Sequence, residues 1–328
     1  MRRRDFVLYS AALASAPPLQ VAAQQNPPRI GVLSSIAATD PEAKIRVAIF
    51  EQALKELRWV SGGNITIDYR WISGGPEALR DAANDLIKTR PQLLVGHATP
   101  ATRALLGTTS DIPIVFINVV DPIGPRFVES LGRPGGNVTG FTNYEPTMAG
   151  KWTQFLTEIS PGLKSVGVVF SPRTTPYLPL MWKPLEEVAK SLSVDLVPLP
   201  FLEPSDISSG TERFVADGKC GLLVIPDVST QLRRKQIIDA AASFRLPAVY
   251  PYRFFIADGG LISYGVDNAD QYRRVASYVD RILRGTPPYL LPVQQPVKFE
   301  LTINLQTARA QGFTIPPLIL ATADAVIE

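Results

Sequence analysis

Cysteine and histidine are almost missing from this chain: Cys220 and His97 are the only residues of their kinds in 328. One cysteine excludes an internal disulfide and any cysteine-based zinc cluster. One histidine leaves little for metal ligation or general-base work. An excess of charge is missing as well. Net charge is +3, and no basic run after the first four residues is longer than the three of Arg233-Arg234-Lys235, so the lysine- and arginine-lined face of a nucleic-acid binder is not expected. Catalytic signatures are absent too. No G-x-G-x-x-G follows the first apolar strand, and no G-x-S-x-G, H-E-x-x-H or phosphate-binding loop occurs anywhere. A hydrolase has a poor inventory here, and neither a metal nor a cofactor is expected.

What is present is apolar and stiff. Apolar residues make up 45%, charged residues 19%, and there are 30 prolines. The length exceeds one ordinary domain, so two are expected. Cys220, beside a strand, reads as an inert buried thiol, and the four tryptophans as structural.

The first residues read as an export signal. Arg2-Arg3-Arg4-Asp5 precedes a short apolar stretch, Tyr9 to Val21, and Val21-Ala22-Ala23 fits a small-x-small cleavage site. Residues 1–23 are therefore expected to be a signal peptide, with the mature protein in the periplasm. Arg3-Arg4 with Phe6 also resembles a twin-arginine signal. Pro17-Pro18 interrupts the apolar run, which is shorter than the about 20 residues a membrane helix needs.

After this segment, apolar strands and helical patterns alternate. Strands are expected at Arg29–Ser34, Asn64–Trp71, Gln92–Ala98, Ile112–Asn118 and Asn137–Thr142. Helices are expected from Pro41, with Asp40 as N-cap and Ile45, Ile49, Ala53 and Leu57 as its buried face, from Pro76, at Ala101–Thr108 and at Phe127–Leu131. From Tyr144 the pattern resets. Strands at Ser165–Phe170, Val194–Leu199, Gly221–Ile225 and Pro247–Tyr250 alternate with helices, including one from Gln231 to Phe244. Such alternation predicts parallel sheets covered on both faces. The expected fold class is α/β, two similar doubly wound parallel-sheet lobes. The tail, with a helix over Ala269–Leu283 and a strand over Val297–Ile303, is too short for a third domain and must be shared between the lobes. Several crossings would make a hinge and a cleft that closes on a ligand. The expected division is 24–142 plus about 265–291 for the first lobe, and 143–264 plus about 292–328 for the second.

In open parallel sheets, ligands collect at the carboxyl ends of strands, where helix N-termini present free N–H groups. That rule selects the candidate ligand-binding residues. Ser34, Ser35 and Thr99 offer hydroxyls at strand-to-helix turns of the first lobe. Asp121 could accept an ammonium group, although Asp before Pro also starts turns. Thr142, Asn143 and Tyr144 lie where the chain first leaves the first lobe. Ser171 and Asp227 follow strand ends on the facing wall, and Tyr250 and Tyr264 could stack a planar ligand. His97 reads more readily as a packed, hydrogen-bonded side chain than as a ligand contact. No catalytic residue is expected.

Several longer motifs carry a family resemblance. Ile114-Val115-Phe116, Asp121-Pro122, Arg133-Pro134-Gly135-Gly136-Asn137-Val138-Thr139-Gly140, Gly259-Gly260-Leu261-Ile262-Ser263-Tyr264-Gly265, Leu291-Pro292-Val293-Gln294-Gln295-Pro296 and the closing Ala308–Glu328 resemble the ABC transporter substrate-binding proteins, the family that includes tryptophan-binding members. The resemblance covers essentially the whole mature chain. It implies a type I periplasmic binding fold and a non-enzyme, a monomer that delivers a small ligand to an ABC permease and its ATPase and meets the membrane only through that permease. Amino acids or small aromatic carboxylates are the ligands it favours. A ligand sensor for a membrane receptor would share the fold, and a dinucleotide-type enzyme is the remaining reading.

Overall fold

The computed structural model describes residues 27–215 and 218–328; the expected signal peptide lies outside the described residues. The first lobe runs β1 (Arg29–Ser34), α1 (Pro41–Glu56), β2 (Thr66–Trp71), α2 (Pro76–Lys88), β3 (Leu93–His97), α3 (Ala98–Leu106), β4 (Ile114–Val119) and β5 (Val138–Thr142). Its five strands are all parallel, in the order β2-β1-β3-β4-β5. β3, β4 and β5 are buried along their whole length, as strands covered on both faces must be. β2, at the sheet edge, is half-buried throughout.

The second lobe runs α4 (Thr147–Ile159), β6 (Ser165–Phe170), α5 (Leu178–Ser191), β7 (Asp195–Pro200), α6 (Pro204–Val215), β8 (Cys220–Val224), α7 (Val228–Leu232), α8 (Arg234–Ser243), β9 (Ala248–Tyr250), α9 (Arg253–Ala257) and β10 (Ile262–Val266). The chain then returns to the first lobe for α10 (Asn268–Leu283), whose Val275, Ala276, Val279 and Ile282 share a core with α1 and with Val115 and Ile117 of β4. It ends in the second lobe with β11 (Phe299–Asn304), α11 (Leu305–Gln311), α12 (Pro317–Ala321) and β12 (Ala325–Ile327). The second sheet has the order β12-β11-β10-β9-β8-β6-β7, with only the β10–β11 pair antiparallel. Pro198 and Pro200 fall in edge strand β7, where a missing N–H is tolerated.

The chain thus crosses between lobes three times, after β5, after β10 and before β11. The last crossing comes a few residues later than expected. Leu291 and Val293 pack into first-lobe cores, and the Gln294 N–H donates to the Gly140 carbonyl while the Thr142 N–H donates back to the Gln294 carbonyl, both at 2.9 Å. Residues 291–294 therefore lie alongside β5 rather than in the second lobe.

Three local expectations need correction. The segment Phe127–Leu131 forms turns, because the Phe127 and Val128 N–H groups donate to Pro122 and the Glu129 N–H to Pro134. Helix α1 starts where expected, with Asp40 accepting from the Glu42 N–H at 3.0 Å, but its buried face is Ala43, Arg46, Phe50, Ala53 and Leu54. Ile45 is half exposed; the helix is rolled so that Arg46 points inward beneath the cleft. The helix expected from Gln231 is two helices broken at Arg233.

Candidate functional site

Both sheets reverse strand order, the first between β1 and β3 and the second between β6 and β8. Chains leaving adjacent strands there diverge to opposite faces and open a crevice at the carboxyl ends. The two crevices face each other. Between them lies a narrow cavity, part of it open to solvent. His97, Ala98, Thr99, Pro100 and Asn118 form the first-lobe wall, and Thr174, Tyr177, Asp227, Val228, Gln231 and Tyr252 the second.

The first-lobe wall is built under strain. Ala98 and Asn118, the residues at the ends of β3 and β4, hold left-handed backbones with φ of 68° and 58°. Alanine rarely adopts that conformation, and strained positions cluster at ligand sites. Gly96 permits the tight turn, since a Cβ there would press on Thr102 of α3. Thr102 closes it by donating its hydroxyl to the Ala98 carbonyl at 3.0 Å. The result aims the N-terminus of α3 at the cavity, where Thr99 adds a hydroxyl and the helix dipole favours negative charge.

His97 is buried and fully hydrogen-bonded. Its Nδ1 lies 3.2 Å from Ser34 Oγ, and its Nε2 lies 3.1 Å from a terminal guanidinium nitrogen of Arg46 and 3.4 Å from Asn118 Nδ2. Burial, and next the Arg46 charge, hold the imidazole well below its ordinary pKa, so it stays neutral. Behind it a second cavity in the first lobe, lined by Ser34, Arg46, Tyr69, Trp71, Tyr272 and apolar core residues, shares His97 as a wall.

On the second-lobe wall, Asp227 caps α7. Its Oδ2 accepts from Thr174 Oγ1 at 2.7 Å and from the Ser229 N–H at 2.8 Å. Burial pushes its carboxyl up to about 6 despite these donors, which marks a charge short of a partner. Two further polar groups on the cavity walls are buried without partners: Asn118 Oδ1 and Gln231 Nε2. An unpartnered acceptor, an unpartnered donor and a carboxylate therefore belong to residues that border one space.

The lobes are clamped around that space. Arg234 of α8 reaches across to Asp40 at 2.9 Å while holding Asp258 of its own lobe at 2.5 Å. Phe254 lies between Arg46 of one lobe and Arg234 of the other, 5.8 and 5.6 Å from its ring. Ile36, Ala43 and Val228 form a small apolar cluster across the divide.

Of the residues selected from sequence, Thr99 and Asp227 line the interlobe cavity. Ser34 lines the cavity behind His97 and braces that ring, and Ser35 donates weakly to the His97 carbonyl. Asn143 reaches the site at one remove, donating to the Tyr252 hydroxyl at 2.7 Å. The others lie away from the cavity. Asp121 closes a turn by accepting from the Ile123 and Gly124 N–H groups. Thr142 is tied by its carbonyl to Gln271. Ser171 accepts from Thr174 and Thr175 through its carbonyl. Tyr144 packs on Trp152, Tyr250 stacks on Phe255, and Tyr264 stacks on Phe299. These tyrosines belong to second-lobe packing, Tyr144 and Tyr264 with one apolar core and Tyr250 with the other.

His97 does both things that were set against each other, packing as a bonded core residue and forming a cavity wall. Asn118, Gln231, Thr174, Tyr177, Tyr252 and Arg46 were missed. Asn118 ends an apolar strand and was open to the strand-end rule. Tyr252 lies two residues past β9, and the rest sit about a turn or more beyond a strand end and carry no local signal.

Two facing α/β lobes, three crossings and a polar cavity between them define the fold of a periplasmic-type binding protein. Residues 30–327 match the family model described as ABC transporter substrate binding protein, and the chain belongs to that family. It is similar to a tyrosine-binding protein of Clostridioides difficile, 24% identical over 80% of this chain and 74% of that one. Among solved structures it resembles a conserved domain protein from Vibrio cholerae, 30% identical, with a TM-score of 0.83 over 91% of this chain and 99% of that one. An ABC domain from Streptococcus pneumonia in complex with L-Trp is 23% identical, with a TM-score of 0.84 over 92% of this chain and all of that one. Among the described residues no helix is long and apolar enough to cross a membrane.

Proposed function

We propose that this protein captures an amino acid, of the aromatic class, in the interlobe cavity after export and hands it to an ABC import permease. The observation that carries this reading is the set of groups on the cavity walls. A ligand ammonium suits Asp227, whose carboxylate is buried without a full counter-charge, and Asn118 Oδ1. A ligand carboxylate suits the N-terminus of α3, Thr99 and Gln231 Nε2. Tyr177, Tyr252 and Val228 supply a semi-apolar flank for a side chain. The relatives named for tyrosine and for bound L-Trp support the aromatic class. Because the cavity is narrow and clamped, the ligand enters with the lobes apart and is enclosed as they close.

A thermal-shift screen of amino acids, aromatic acids, sugars and nucleosides tests the class. A ligand at a hundred times its dissociation constant stabilises the folded protein by about 2.7 kcal/mol. Aromatic amino acids are expected to raise the melting temperature, and hits confined to sugars or nucleosides would refute the reading. Export is checked separately by the N-terminal sequence of protein recovered from the periplasm, expected to begin near Gln24; recovery in the cytoplasm alone would count against it.

A further inference from the structure

We propose that Arg46 is a positioning residue for specificity: through His97 it turns the Asn118 carbonyl into the cavity, where with Asp227 it forms a two-acceptor seat for a ligand ammonium group. The inference rests on the amino-acid reading above and extends it to a residue that does not line the interlobe cavity.

Arginine has five N–H donors and no acceptor, and stays protonated inside proteins. Arg46 is 2% exposed, and its terminal nitrogen lies 3.1 Å from His97 Nε2. Nε2 must therefore accept, which places the single ring proton on Nδ1, where Ser34 Oγ at 3.2 Å can receive it. An accepting Nε2 then decides the side-chain amide beside it. Asn118 Nδ2 lies between His97 Nε2 at 3.4 Å and Asn268 Oδ1 at 2.9 Å, a position only the NH₂ end can hold. The Asn118 carbonyl oxygen is left buried, unpartnered and on the cavity wall.

The polarity of that oxygen matters because the opposite wall presents the Asp227 carboxylate. Two acceptors facing one space favour a group that carries several donors and a positive charge. They disfavour a ligand with oxygen at the same position, since a buried acceptor would then meet another acceptor. Arg46 itself has no closer carboxylate than Glu42, whose oxygen is 3.7 Å from its Nε. That pair engages the Nε side of the guanidinium, and the terminal nitrogen is left to donate to the ring.

The single histidine makes the first half directly observable. Proton–nitrogen correlation spectra of the untagged, ligand-free protein should show one imidazole, neutral, protonated on Nδ1 and unprotonated on Nε2. An Nε2-protonated ring or an imidazolium at neutral pH would overturn the proposal with no variant made. The second half compares L-tyrosine with desaminotyrosine, which lacks only the amino group, by calorimetry. In Arg46→Met the ring is expected to lose its fixed tautomer, and the preference for L-tyrosine to fall by about tenfold. Arg46→Lys, a donor-only side chain, should restore both. A preference unchanged in Arg46→Met overturns the proposal even if the tautomer moves. Should wild-type protein bind no amino acid, the functional reading fails, and the seat with it, whereas the ligand-free spectrum would still report the tautomer.

Discussion

Asp227→Asn separates the two consequences of a buried, under-partnered carboxylate. Folding raises this carboxyl from 3.8 to about 6, which disfavours its ionised form by about 3 kcal/mol. A raised carboxyl contributes stability that is full below its ordinary value and is lost as pH rises through the folded value. At neutral pH the ligand-free protein therefore bears that cost. Asparagine keeps an oxygen to accept from Thr174 and Ser229 and carries no charge, so Asp227→Asn should stabilise the ligand-free protein at neutral pH by up to about 3 kcal/mol. Binding should move the other way. A ligand ammonium pairs with the ionised form, so apparent affinity scales with the ionised fraction of the free site. At about pH 5 that fraction is about one-tenth, giving about tenfold weaker binding than at pH 8. In Asp227→Asn the pH dependence should vanish, and affinity at neutral pH should drop by about ten- to a hundredfold, the range for a hydrogen bond to a charged group. Calorimetry with L-tyrosine across this pH range, beside urea melts of the ligand-free protein, measures both. Affinity within twofold of wild type, or a surviving slope below about pH 6, would refute the reasoning.

Three other variants probe the framework. Arg234→Met leaves Asp40 buried opposite an apolar end and should weaken closure by about 2 kcal/mol; small-angle scattering should show a more open form with ligand, and an unchanged curve would contradict the clamp. Gly265→Ala places a Cβ against the Pro251 carbonyl oxygen, so about 1–3 kcal/mol should be lost in urea melts; an unshifted midpoint would show that the backbone yields freely. Trp152→Phe removes a 2.6 Å bond from the Nε1 of a fully buried indole to the carbonyl of half-buried Tyr264, at an expected cost of about 1–3 kcal/mol; a loss too small to measure would mean that water replaces the indole.

Strand positions were the most legible feature, because a strand buried on both faces must be an unbroken apolar run, as in Leu93–Val95 and Ile114–Ile117. The Asp40-Pro41-Glu42 helix start was legible for the same local reason, a capping side chain two residues from the N–H it serves. The inward side of α1 was not. Its apolar periodicity permits more than one face, and the roll that buries Arg46 depends on α10 packing against it from more than 200 residues away in the chain. Asp121 shows the limit of residue-type reasoning: an Asp-Pro at a strand end suits a ligand or a turn equally, and two local N–H groups decided for the turn.

Composition and periodicity alone determined the α/β alternation, the reset near Tyr144 and the strand ends where Thr99 and Asp227 were found, since these follow from backbone hydrogen bonding and burial within short windows. Only the tertiary structure decided which strand ends face each other. The ring of His97, the amide of Asn118 and the carboxylate of Asp227 come from three strand ends in two lobes. Their hydrogen-bond partners include Arg46 and Thr174, side chains that meet them only once each lobe has folded. Donor and acceptor polarity in a buried site belongs to the network as a whole, and the network exists only in three dimensions.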